Sequence, residues 1–109
     1  DLYVGIGGAP EGVLAASVLK SLGGQMQCRL IFKDKIQKKR ALAMGVKNLK
    51  KKYQIKNLIK NDAIFVATGV TDGYLLNGLK KNKKKFITHS LIVTTKSKKI
   101  KFLKRKFKI

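Results

Sequence analysis

Apolar and polar positions fall along this chain in blocks that fit alternating strands and helices. Leu2, Tyr3, Val4 and Ile6 make a short apolar run ending at Gly7 and Gly8, the pattern of a buried strand. Pro10 suits the first turn of a helix. Val13, Leu14, Ala15, Ala16, Val18, Leu19 and Leu22 then supply an apolar face wide enough to lie on a sheet, and Gly23 and Gly24 close the helix. Residues 26–32 read as a second strand. Asp34 is placed to cap a second helix that passes through Ile36, Ala43 and Met44 to Gly45.

Between residues 46 and 61 the periodicity weakens, with Leu49, Tyr53, Ile55, Leu58 and Ile59 set among lysines, which predicts short helical turns and connection. Residues 63–67 form a clean buried strand. The turn Thr68-Gly69-Val70-Thr71-Asp72-Gly73 leads into Tyr74, Leu75 and Leu76, repeating the earlier layout of strand, glycine turn and helix start. The lysine run 80–85 reads as a surface loop. Residues 86–95 and 100–107, joined by Lys96, Ser97 and Lys98, predict a closing hairpin. One α/β unit over residues 1–109 is expected, with a mixed sheet carrying an antiparallel edge.

Charge is the next feature that changes the picture. The 109 residues carry 26 Lys and Arg against 5 Asp and Glu, a formal net charge of +21. Half of the cations follow Leu79, where no acid occurs. Such a field attracts any polyanion, phosphorylated small molecules included. A small basic nucleic-acid-binding protein is therefore the rival to any enzymatic reading. Against it, only Arg29, Arg40 and Arg105 are arginine, the side chain that reads base edges with a bidentate fork, and the aromatics are spaced as core residues. Lysine drift on a solvated surface accounts for the ratio, and no specific nucleic acid is expected.

Neither a membrane span nor a signal peptide is visible, so a cytoplasmic protein without a membrane partner is expected. Asp1, rather than Met, leads straight into the apolar run, which gives the expectation of a chain entered midway through a fold. The lone Cys28 lies among Met26, Leu30 and Ile31 and is expected in the core. His89 is the single histidine and sits in an alternating strand, where a structural role is expected. Tyr3 and Tyr74 are expected to pack.

The segment Gly5-Ile6-Gly7-Gly8-Ala9-Pro10-Glu11-Gly12 is where chemistry is most expected. Glycines let the backbone approach a ligand just as a helix begins, and phosphate is the natural guest there, although Pro10 offers no N–H. The turn at residues 68–73 is expected to open on the same side. Nucleotide motifs fit poorly. The dinucleotide pattern needs glycine where Pro10 stands, and the P-loop needs Lys and Ser or Thr after Gly12. Glu11 in the first turn is explained by the macrodipole alone, and metal ligation is the alternative. Asp72 reads as a capping residue beside Thr71, with ligation again the alternative.

The run Asp1-Leu2-Tyr3-Val4-Gly5-Ile6-Gly7-Gly8-Ala9-Pro10-Glu11-Gly12-Val13-Leu14-Ala15-Ala16 resembles a hallmark of class II fructose-1,6-bisphosphatases, including the bifunctional fructose-1,6/sedoheptulose-1,7-bisphosphatases. Leu22-Gly23-Gly24-Gln25-Met26-Gln27 with Arg29-Leu30 resembles the family's next strand. Ala67-Thr68-Gly69-Val70-Thr71-Asp72-Gly73 resembles its second hallmark, and Thr88-His89-Ser90-Leu91 is similar to a late strand.

The resemblance implies the C-terminal portion of such an enzyme. The implied fold is the layered α/β fold of the lithium-sensitive, inositol-monophosphatase-like sugar phosphatases. The implied activity is metal-dependent hydrolysis of the 1-phosphate of fructose 1,6-bisphosphate, with magnesium or manganese as cofactor. Carried over residue by residue, the family's motif makes Glu11 a metal ligand and Gly8 a substrate contact. Its other acidic ligands, and the threonine near the attacking water, have no counterpart in this chain. The implied partners are sedoheptulose 1,7-bisphosphate as a possible second substrate, the N-terminal part of the enzyme, and further copies in a homo-oligomer. Lys80–Lys85 and the basic tail depart from the family pattern.

Overall fold

Gly8 caps the first helix in an extended conformation, and Pro10 in the first turn fixes φ where an N–H has no helical partner. The helix, α1, runs over Ala9–Leu22. A computed structural model describing residues 1–109 gives this and every element below. Gly23, at φ 78°, ends α1 in the left-handed region and donates its N–H to the Leu19 carbonyl. Two short strands, β1 (Gln27–Cys28) and β2 (Tyr53–Gln54), pair antiparallel around α2 (Lys35–Ala43). Asp34 caps α2 as expected, its Oδ1 accepting from the Gln37 N–H at 2.8 Å. One turn of helix, α3 (Ile55–Leu58), follows β2.

The main sheet is built from β3 (Ile64–Thr68), β4 (Lys80–Asn82), β5 (Lys85–Thr94) and β6 (Lys101–Lys108). The long β5 lies in the middle, with β3 and β4 along one side and β6 along the other, all antiparallel. The closing hairpin is thus β5–β6, close to its expected bounds. A mixed sheet was the expectation; every pairing that forms is antiparallel. The lysine run, expected as a loop, instead forms β4 and a tight turn at Lys83 and Lys84, held by Asn82 Oδ1 accepting from the Lys84 N–H at 3.1 Å.

Small residues let α1 approach this sheet closely. Ala16, Ser17 and Ser21 are buried on the helix, with Leu91, Val93 and Thr95 buried beneath, and Val93 is only 1% exposed. The hydroxyls are all satisfied. Ser17 donates to the Leu14 carbonyl at 2.7 Å and Ser21 to the Ser17 carbonyl at 2.9 Å. Thr95 donates to Asp62 Oδ1 at 3.0 Å and accepts from the Ala63 N–H at 3.0 Å. Lys20 ties the helix to the segment after α3 through the carbonyls of Ile59 and Asn61, at 3.0 and 2.8 Å.

Several expected elements do not form. Residues 2–6 are not a strand: Leu2, Tyr3, Val4 and Ile6 are each more than four-fifths exposed. A buried strand needs a hydrogen-bonding neighbour, and no strand of this chain lies beside that run. The strand expected over 26–32 shrinks to β1, and Cys28 is half-buried rather than in a core. Tyr3 and Tyr74 are exposed, not packed. No helix follows Gly73.

The accessible surface of 9537 Å² exceeds by more than half the ~6,100 Å² expected for a compact protein of 12.2 kDa. The radius of gyration, 17.8 Å, compares with about 13 Å for a compact chain of this length. Only Ala16, Leu91 and Val93 form a buried apolar core, while Val13, Leu14, Ile64 and Val66 face outward. These elements leave many large apolar side chains uncovered.

Candidate functional site

The glycine turn before α1 places its two candidate residues together. The Gly8 carbonyl accepts the Gly12 N–H at 3.1 Å, which starts the helix one residue after the cap. Glu11, in the first turn where a carboxylate is favoured by the helix dipole, is exposed and folds back over Gly8. A Cβ at Gly8 would overlap the Glu11 Oε2 and lie 3.2 Å from its carboxyl carbon. Glycine at position 8 therefore leaves the space that the carboxylate occupies. Tyr3 lies against the same turn, and a Cβ at Gly5 would sit 2.9 Å from its hydroxyl.

No group of three or more His, Cys, Asp or Glu side chains comes together anywhere in the chain. Glu11 is thus a single oxygen donor, whereas Mg²⁺ takes six ligands, several of them waters. The chain's own residues do not complete a metal site. One free carboxylate folded over a glycine fits one ligand of a shared site.

The second turn closes on itself through its own hydrogen bonds. Gly69 donates its N–H to the His89 carbonyl and Leu79 donates to the Val70 carbonyl, both at 3.0 Å. Asp72 Oδ1 accepts from the buried Gly78 N–H at 2.8 Å. Asp72 is therefore structural, as expected, but it bridges a loop instead of capping a helix. His89 is structural too: its Nδ1 accepts from the Asn77 N–H at 2.9 Å, and its ring stacks on Phe102 with centroids 5.7 Å apart. The proton of the neutral imidazole accordingly sits on Nε2. No hydrogen bond or salt bridge joins residues 68–79 to the Gly8 turn.

Asp72→Asn is expected to leave stability nearly unchanged, because its amide oxygen still accepts from Gly78. Asp72→Ala is expected to cost about 1–2 kcal/mol by orphaning that buried N–H. Urea unfolding midpoints of the two variants measure the difference.

The model of the family described as bacterial fructose-1,6-bisphosphatase, glpX-encoded, matches residues 1–107. The chain belongs to this family. It is 36% identical over 114 aligned residues to a class 2 fructose-1,6-bisphosphatase of Haemophilus influenzae, covering 92% of this chain and 34% of that protein. A fructose-1,6-bisphosphatase 2 class 2 of Escherichia coli is 38% identical over 107 residues, covering 85% of this chain and 33% of the relative. A D-fructose 1,6-bisphosphatase class 2/sedoheptulose 1,7-bisphosphatase of Prochlorococcus marinus is 34% identical over 106 residues, covering 84% and 32%. The chain spans about a third of the length of these curated relatives.

Gly78 and Asn77 went unnoticed in the sequence, although they hold the second loop together. The Asn-Gly dipeptide is a turn signal that points to them.

Proposed function

We propose that this chain presents Gly8 to a phosphorylated sugar and Glu11 to a divalent cation in a class 2 fructose-1,6-bisphosphatase. The reaction is hydrolysis of the 1-phosphate of fructose 1,6-bisphosphate to fructose 6-phosphate and phosphate. The observation that carries this reading is the family match over residues 1–107, which takes in the turn where Glu11 folds over Gly8. The names of the relatives support the substrate, and that of the Prochlorococcus marinus relative supports sedoheptulose 1,7-bisphosphate as a second one.

With the Glu11 carboxylate turned from Gly8 to a cation, Gly8 lets the sugar phosphate approach backbone that any side chain would cover. Glu11 adds one anionic oxygen to a site for magnesium or manganese. A cation held there supplies charge neutralisation on the phosphate and an activated water. The remaining ligands belong to the rest of the family architecture, whose packing also covers Leu2, Tyr3, Val4, Ile6, Val13 and Leu14. With that cover, residues 2–6 gain strand neighbours, and the whole adopts the layered, inositol-monophosphatase-like fold. A homo-oligomer in the cytoplasm completes the reading. No helix of the chain is long and apolar enough to cross a membrane.

The test is a graft in which residues 1–107 replace the matching third of the Escherichia coli relative. Phosphorus NMR of the products is expected to give fructose 6-phosphate and inorganic phosphate, with turnover that needs Mg²⁺ or Mn²⁺. Loss of the 6-phosphate instead, or turnover unaffected by a chelator, overturns the reading. Sedoheptulose 1,7-bisphosphate as a second substrate decides between a single and a double specificity.

A further inference from the structure

The end of the main sheet away from α1 carries a combination that the phosphatase reading does not use. Register places Lys81 opposite Phe86 and Phe86 opposite Phe107, so these three share one face. Two residues along, about 7 Å away, Thr88 and Arg105 face each other on that same face. Lys81 Nζ lies 5.4 Å from the Phe86 ring centre, and Phe107 is 46% exposed.

The other face of the same strands carries Lys80, Lys85, Lys104, Lys106 and Lys108 at alternate positions. Lys85 and Lys108 are direct cross-strand partners, a like-charge pair that destabilises a sheet until an anion neutralises it. No acid offsets them. The last acid in the chain is Asp72, and the single salt bridge, Lys96–Asp62, lies at the opposite end of the sheet.

We propose that this end of the sheet, centred on the Phe86–Phe107 pair, is a sequence-tolerant platform for single-stranded nucleic acid. The half-exposed Phe107 ring offers its face to an unpaired base, with Phe86 packed beside it under Lys81, while Lys81 and Arg105 on the same face meet the backbone phosphates. A duplex keeps its bases stacked inside and offers this platform phosphates alone. Direct base reading is absent because the face holds one arginine and no amide side chain. Binding is therefore independent of sequence and falls steeply with salt.

The experiment titrates the chain into a labelled oligothymidylate of about twelve nucleotides at low salt and follows fluorescence anisotropy. Phe86→Leu with Phe107→Leu keeps an apolar cross-strand pair and is expected to weaken binding about tenfold by removing the stacking surface. Lys81→Gln with Arg105→Gln is expected to reduce the slope of log K against log salt by about 1.4. Lys35→Gln with Lys38→Gln on α2 removes the same charge elsewhere and is expected to change binding less than twofold. Duplex and inorganic polyphosphate are expected to bind the two-leucine variant as well as the parent. Circular dichroism reports folding, and if the leucine pair unfolds, the exposed Lys81 and Arg105 pair still decides. Equal loss from the α2 pair, or parental single-strand binding by the Lys81 and Arg105 pair, overturns the proposal.

Discussion

Glu11→Gln in the graft is expected to lower fructose 1,6-bisphosphate turnover at least about 100-fold while leaving the fold intact. The side chain is exposed and makes no salt bridge or hydrogen bond, so the amide removes charge without removing packing. A neutral amide oxygen is a far poorer partner for a hard divalent cation than a carboxylate. Raising the metal concentration is expected to recover part of the loss, which separates a weakened ligand from a damaged fold. Gly8→Ala attacks the same arrangement from the backbone side. Its methyl takes the place of the Glu11 carboxylate, which must swing away, and activity falls although the helix start is unstrained.

A large loss of stability is expected from Gly78→Ala. A Cβ at this buried position would stand 2.6 Å from the Thr71 carbonyl carbon and 2.7 Å from the Asp72 nitrogen. Both are backbone atoms, fixed by the Gly69–His89 and Leu79–Val70 hydrogen bonds and by Asp72 itself. No side-chain rotation relieves the overlap, so the loop has to shift, at a cost of roughly 1–3 kcal/mol. Urea unfolding and faster exchange of the Asn77, Gly78 and Leu79 amides measure it. Gly12→Ala is the contrast. A Cβ there meets nothing within 4 Å, and alanine in the helix α1 is expected to add roughly 0.5–1 kcal/mol.

Local signals were the legible part of the fold. Pro10, the Gly23 cap, the Asp34 cap and the β5–β6 hairpin act through near neighbours in the chain, and each stands where its residues point. Residues 2–6 failed for the opposite reason. Their apolar run predicts burial, but no strand of this chain pairs with it. The second glycine turn failed differently, since the Asp72–Gly78 and Asn77–His89 hydrogen bonds close a loop where the apolar Leu75 and Leu76 suggested a helix. Phe107, spaced as a core residue, is half-exposed because nothing covers that face of the sheet. Gly8 and Glu11 came from the resemblance to the family motif, and their contact follows from the cap and first-turn positions they occupy.

The central claim is that the chain contributes Glu11 and Gly8 to a phosphatase site that it does not complete by itself. Phosphate release from fructose 1,6-bisphosphate with Mg²⁺ or Mn²⁺, measured side by side for the chain alone and for the graft, tests it most directly. The account expects the chain alone to match a blank and the graft to turn over, because one carboxylate does not build the cation site that activates water. Metal-dependent release by the chain alone, after contaminating phosphatases are removed, would contradict it.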